Sequence, residues 1–366
     1  MKALILAGGY ATRLRPLSCE KPKLLFPIAG RPMLERTLNT LGRNDVSSVV
    51  LAVNFMADRL KKHFGTRHGK MRIRYSRELR PLGTGGPIKL AQRLLESGDT
   101  FLAMNGDILF EEDLSKMLER HKKERSIATI ALHMVADASR FGLVRVDDAM
   151  RISSFVEKPK KQEPIKGLIN AGIYLMSPAI FDYIPSGRKV SVEREVFPIL
   201  AKEGKLLGYE LKGYWTDIGK VDDYLEANFS ILKTEFPDEP MVEKGAKVSD
   251  RAILIPPCLV MKKAMVGDGA VIGPFTVVGE GSMVEEDARI ERSILFNDVH
   301  IGKFSMVLSS IMGDGTSVSR DVKLDEGTVL GAGVTVGPSL KLEGGVKVCP
   351  HKDVTEDVLG PVNICS

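Results

Sequence analysis

The chain has 366 residues, room for two to three domains at about 150 residues each, and its 43% hydrophobic and 27% charged content suits packed cores and excludes a disordered chain. Fifty-two basic against 47 acidic residues leave +5 with no long basic block, and aromatics are 6% with one Trp, so nothing in the composition points to nucleic acid. No apolar run approaches the ~20 residues that a membrane span needs.

The first element is a strand, Lys2–Ala7; its apolar run is shorter than the ~7–15 residues of a signal-peptide core. Directly after it comes Leu6-Ala-Gly-Gly-Tyr-Ala-Thr-Arg-Leu-Arg-Pro16. Glycines there let backbone N–H groups approach a phosphate, while Thr12, Arg13 and Arg15 add donors and positive charge. The spacing is neither G-x-G-x-x-G nor G-x-x-x-x-G-K-[ST], so the dinucleotide and P-loop fingerprints are excluded. Lys21-Pro-Lys-Leu-Leu-Phe-Pro27 follows, then a helix over Met33–Leu41 and strands over Ser48–Val53 and Met71–Tyr75. Leu82-Gly-Thr-Gly-Gly-Pro87 opens a helix running to Leu95, with Pro87 suited to its first turn. Asn105-Gly-Asp107 succeeds the strand Thr100–Met104, and an acid just past a strand's carboxyl end is well placed to hold Mg²⁺. A helix over Asp113–Lys123 ends in a solvated basic turn. Strands over Ile127–Met134, Leu143–Val146 and Leu168–Met176, a helix over Val192–Lys202 and the segment Tyr214-Trp-Thr-Asp-Ile-Gly219 complete this half. Such alternation implies a mostly parallel sheet with helices on both faces and ligands outside the strands' carboxyl ends.

Phe236-Pro-Asp-Glu-Pro240 breaks the preceding helix and reads as a linker between residues 1–235 and 241–366. Beyond it, every sixth residue from Val248 is aliphatic or aromatic: Val248, Leu254, Val260, Val266, Ile272, Val278, Val284, Ile290 and Phe296. Four residues after the first seven lie Ala252, Cys258, Ala264, Ala270, Thr276, Ser282 and Ala288, all small. This is the hexapeptide period of a parallel β-helix. The register slips at Phe296–Ile301 and weakens over Gly313–Gly327 before Leu330 and Val336 restore it. Strand edges at the ends and flat sides of such a solenoid imply a homo-oligomer formed partly through 241–366. Cys19, Cys258, Cys349 and Cys365 show no C-x-x-C spacing, which disfavours a zinc site and a disulfide framework and implies a reducing, cytoplasmic setting.

The first-loop and Lys21–Pro27 segments together resemble the sugar-1-phosphate nucleotidyltransferase family signature G-G-x-G-T-R-x-R-P followed by x-x-P-K-x-L, and the resemblance extends along the chain. Ala11 stands where the family usually has glycine. The resemblance implies a Rossmann-like nucleotidyltransferase domain followed by a left-handed parallel β-helix. It assigns the nucleotide to Leu6, Ala7, Gly8, Gly9, Thr12, Arg13 and Lys23, with Gly83 and Thr84 of the L-G-T-A-G-P-like loop and Asn105 beside it; Glu78 is a base-reading candidate. Asp107 and Asp217 are the implied Mg²⁺ ligands, and Arg13, Lys23 and Asp107 the implied catalytic groups. Sugar phosphate falls to Glu157 and Lys158 of Phe155-Val-Glu-Lys-Pro159, to Asn170 of Ile169-Asn-Ala-Gly-Ile-Tyr174, and to Gly142.

Ser191–Pro198, Lys212–Asp217 and Cys349-Pro-His-Lys352 resemble the short GDP-mannose pyrophosphorylases within that family. The expected substrates are therefore a nucleoside triphosphate, GTP favoured, and a sugar-1-phosphate, mannose-1-phosphate favoured. Glucose-1-phosphate with dTTP, UTP or ATP is the alternative, as is a non-catalytic regulatory subunit of the same architecture. Arg13, Lys23, Asp107, Lys158 and Asp217 are all present, which favours the enzyme. A second, acetyl-transferring activity is disfavoured because His300 is the only histidine inside the repeats; His351 lies beyond them and reads equally well as a structural residue.

Overall fold

The apolar runs become strands because both their faces are covered: Ala3–Ile5 and Val49–Val53 are at most 1% exposed. A computed structural model describes residues 1–157 and 165–365, with backbone alone at 156 and 157. It contains two compact units, Met1–Tyr10 with Met33–Asp217, and Ala11–Pro32 with Ile218–Ser366.

In the first unit the strands are β1 (Lys2–Ala7), β2 (Ser48–Val53), β3 (Met71–Arg77), β4 (Phe101–Asn105), β5 (Ile108–Glu111), β6 (Ala128–Val135), β7 (Gly142–Val146), β8 (Ile152–Glu157), β9 (Gly167–Met176), β10 (Leu206–Glu210) and β11 (Tyr214–Asp217). The main sheet runs β8-β7-β9-β4-β1-β2-β3, with Arg67–His68 at the β3 edge and β6 pairing β9 and β10. Its centre, β4-β1-β2-β3, is parallel. Beyond it β9 joins antiparallel to β4, and β7 joins antiparallel to β9. Parallel strands in this centre put four carboxyl ends on one edge, which is where an α/β sheet binds ligands. β5 and β11 form a separate antiparallel ribbon.

Helices Met33–Arg43 and Ser115–Lys123 match their expected spans. The helix expected to end at Leu95 is interrupted at Ala91, giving Gly85–Leu90 and Gln92–Leu95. The one expected over Val192–Lys202 starts as a π-helical turn, Val192–Val196, before the α-helix Phe197–Lys202. Ser191 caps that turn, its Oγ accepting from the Arg194 N–H. Among the described residues no helix is long and apolar enough to cross a membrane.

The second unit holds three parallel sheets of eight, seven and six strands, each strand pairing with the one three places on, except that Lys347–Val348 pairs with Asn363–Ile364, two places on. That topology is a three-sided coil, consistent with a left-handed β-helix. Cys258 pairs with Thr276, one full coil of three hexads later. The period shortens by one residue in the next two coils, Val277 facing Ile294 and Ile294 facing Ile311, and recovers where Ile311 faces Val329. The inward series therefore passes from Ile290 to Leu295 and from Val307 to Met312, then continues through Val318 and Leu324. Phe296 is thus not an inward corner, and Gly313–Gly327 keeps the repeat; two five-residue sides, invisible to a strict count of six, account for both differences. Buried hydroxyls run up the core: Ser305 Oγ donates to the Ser319 carbonyl at 2.8 Å and accepts from Val322 N–H at 3.1 Å.

Cys349 and Cys365 form a disulfide, which corrects the expectation that the spacing disfavours one and removes the cysteine ground for a reducing setting. The coil is the reason: Val348 faces Ile364, so the next residues, sixteen apart, fall side by side with Cα atoms 4.9 Å apart. Cys258 is a buried thiol whose pKa burial pushes up to about 11, an inert small inward residue.

Candidate active site

Three residues gather at the carboxyl ends of β1, β2 and β3. A side-chain carbon at Gly8 would lie 2.8 Å from Glu78 Oε1 and 3.4 Å from Asn54 Cβ, so glycine is what lets the two approach the β1 end. Gly9 has open space where a side chain would stand. Glu78 is 6% exposed; its Oε2 accepts from Leu82 N–H at 3.0 Å, and burial raises its pKa above the usual carboxylate range. The Asn54 amide nitrogen is buried without a hydrogen-bond partner among the described residues. Sequence reasoning missed Asn54, although its place directly after Ser48–Val53 was the available signal.

The Leu82–Pro87 loop is held against Val190. Gly83 has φ 78°, and a Cβ there would sit 2.3 Å from the Val190 carbonyl oxygen, so only glycine fits. Thr84 Oγ1 donates to Glu193 at 2.6 Å and accepts from Val192 N–H at 3.0 Å. Its hydroxyl is thus committed to the protein.

Asn105 ends β4, and Gly106 N–H donates to the Leu6 carbonyl, tying the Asp107 turn to β1. Asp217, the last residue of β11, faces Ile108 in the ribbon, so Asp107 and Asp217 are neighbours across it. Two carboxylates supply the hard oxygen donors that suit Mg²⁺, which ordinarily takes one or two carboxylates with phosphate oxygens and waters. Among the described residues no cluster of three or more His, Cys, Asp or Glu competes as a metal site.

Gly142 faces Glu157 across β7 and β8, and the next residue, Leu143, faces Ile169, beside Asn170. Those three candidates therefore lie on adjoining strands. Lys158 lies outside the described residues. Asn170 is itself held, its Oδ1 accepting from Gly172 N–H at 2.9 Å and its Nδ2 donating to Tyr174 OH at 3.0 Å. The pairing of β9 with β6 is irregular between Asn170 and Tyr174, and Trp215 Nε1 donates to Ala171 O there at 2.8 Å. Trp215 also packs on His133 and Phe141, making it the support of this corner.

In the second unit Ala11 adopts φ 48°, ψ 41° and starts the tight turn Thr12–Leu14; its carbonyl accepts from Ser18 Oγ at 2.8 Å. The Arg13 guanidinium lies against Gly219, where a Cβ would be 3.2 Å from both terminal nitrogens. Lys23 begins a second short turn, Lys23–Leu25. His351 pairs with Glu20 at 3.0 Å.

The nucleotidyl transferase family profile matches residues 2–234, and that of the GMPPB C-terminal domain matches 254–364. Mannose-1-phosphate guanyltransferase beta-B of Xenopus laevis is 39% identical over 368 residues, 99% of each chain. Mannose-1-phosphate guanylyltransferase 1 of Arabidopsis thaliana is 36% identical over 367 residues, again 99% of each. Among solved structures, HddC from Yersinia pseudotuberculosis complexed with GMP-PN has a TM-score of 0.54 and 30% identity, covering 63% of this chain and 99% of that one.

Proposed function

The chain belongs to the nucleotidyl transferase family, and we propose that it converts GTP and mannose-1-phosphate into GDP-mannose and pyrophosphate. An oxygen of the sugar phosphate attacks the α-phosphorus in line, and the bond to the β-phosphate breaks, with no covalent enzyme intermediate. Catalysis is then positioning and charge neutralisation. Leu6, Ala7, Gly8, Gly9 and Thr12 offer backbone and hydroxyl contacts to the nucleotide, and Arg13 and Lys23 carry positive charge for its phosphates. Gly142, Glu157, Lys158 and Asn170 take the sugar phosphate.

The observation that carries guanine is the pair beside Gly8. Guanine presents two adjacent donors, N1–H and the exocyclic amine, next to the O6 acceptor. The Glu78 carboxylate can accept from both donors, and the Asn54 amide N–H beside it matches O6 once its side chain turns out of its buried position. Adenine presents a donor where guanine has O6 and an acceptor at N1, so the same pair opposes it. The full-length similarity to mannose-1-phosphate guanylyltransferases supports the same choice.

Nucleotidyl transferases of this family generally use a divalent metal; Asp107 and Asp217 would hold Mg²⁺. Such an ion would supply positive charge that offsets the two anionic substrates. A homo-oligomer formed partly through 241–366 completes the reading; a monomer by light scattering would refute the assembly. The deciding experiment is pyrophosphate release with Mg²⁺ across four nucleoside triphosphates and mannose-, glucose- and N-acetylglucosamine-1-phosphate. GTP with mannose-1-phosphate should dominate. Dominance of another pair corrects the substrates, and silence throughout overturns the enzyme.

A further inference from the structure

The Ala11–Pro32 segment belongs to the same compact unit as the β-helix, and the contacts that bind it there are specific. Lys21 Nζ lies 2.9 Å from Asp314 Oδ1 and 2.7 Å from Oδ2, and 4.9 Å from the centre of the Phe296 ring. Phe26, fully buried, meets Phe296 and Tyr224 edge-on, each at 5.7 Å. Tyr224 OH donates to the Pro27 carbonyl, and Asn228 Oδ1 accepts from Ala29 N–H at 2.8 Å.

The solenoid departs from its period where it meets this segment. Of the two five-residue sides, one ends at Leu295 and the other at Met312. Phe296 and Asp314, the two coil residues that grip Phe26 and Lys21, follow those corners by one and two positions. Closing the coil core needs neither of them, since Leu295 and Met312 fill it.

We propose that Lys21, Asp314 and Phe296 are positioning residues, through which the β-helix holds the segment bearing Arg13 and Lys23 in its working conformation. The inference rests on the roles given to Arg13 and Lys23 under the proposed function. The solenoid is then part of the transferase machinery as well as an assembly module.

The test is a double-mutant cycle in the full chain with Lys21→Met and Asp314→Asn; asparagine keeps an acceptor for the Asn297 N–H that Asp314 also serves. Each single variant should lower kcat about tenfold while KM moves less than about threefold, because displaced groups cost turnover more than binding. The double variant should be no slower than the slower single, the mark of one shared interaction. Lys21→Arg should retain most of the activity. Amide exchange over residues 17–26 should accelerate in all three charge-removing variants and stay unchanged in β1. Normal kcat in the singles, multiplying losses in the double, or unchanged exchange would overturn the proposal. If the unaltered protein releases pyrophosphate with no substrate pair, the proposed function fails, and amide exchange alone decides whether the β-helix holds the segment.

Discussion

Ala11 sits in the left-handed region, where a β-carbon costs roughly 1–2 kcal/mol, although glycine loses more chain entropy on folding. Ala11→Gly should therefore stabilise the protein by about 0.5–1 kcal/mol in denaturant unfolding, with activity kept. At Glu78 the sign of the pH effect follows from burial. Its folded pKa is raised, so the protonated form is favoured in the protein, and the stability gained from that form is lost as pH rises through the raised value. In the proposed base-reading role, guanine needs the ionised form. KM for GTP should thus climb on acidification at a higher pH than an ordinary glutamate would impose. Glu78→Gln should flatten that profile and lower kcat/KM for GTP by roughly a hundredfold, the scale of losing a hydrogen bond to a charged group. A steep profile persisting in Glu78→Gln would remove Glu78 from base reading.

The elements show how polar groups are tolerated in a narrow solenoid. Ser305 is 1% exposed, yet its hydroxyl both donates to the Ser319 carbonyl and accepts from the Val322 N–H, two groups of the next coil. Removing it leaves the buried Val322 N–H and the part-buried Ser319 carbonyl short of a partner, and a buried group left so costs about 1–3 kcal/mol. Ser305→Ala should destabilise the β-helix by about 1–2 kcal/mol, measured by amide exchange at Val322, while Met306→Ala, half-buried on the neighbouring strand, should have a smaller effect there. In the first unit the interrupted helix Gly85–Leu95 and the π turn at Val192 meet through Thr84 and Glu193, so irregular backbone is gathered where the candidate loop must be held.

For the molecule as a whole, the solenoid must be closed at its last coil. Asn363–Ile364 pairs with Lys347–Val348, and the Cys349–Cys365 bond ties that strand down across a loop of about 16 residues. A bond closing such a loop contributes about 3 kcal/mol on the chain-entropy account. Reductant should fray Asn363–Ile364 in amide exchange while the inner coils keep their protection; loss of protection along the whole β-helix would show that the bond does more than cap it. The same last coil carries His351, which meets Glu20 of the Ala11–Pro32 segment.

Local sequence determined the central strands and most helices of the first unit, though not β5, β8, β10 or β11, and also the hexapeptide period and the glycine turns, because each depends on neighbours within a few residues. It also placed Gly8, Asn105 and Asp107 at strand ends, since an apolar run announces where its strand stops. What only the tertiary structure decided are meetings between distant parts. Asn54 and Glu78 converge on Gly8 because β1, β2 and β3 lie side by side in parallel, an order that no local pattern encodes. Cys349 finds Cys365 because the last coil brings Val348 opposite Ile364, and Phe26 finds Phe296 because a short side leaves Phe296 one place past the inward corner; side-chain burial, rather than spacing, shows which residue turns inward.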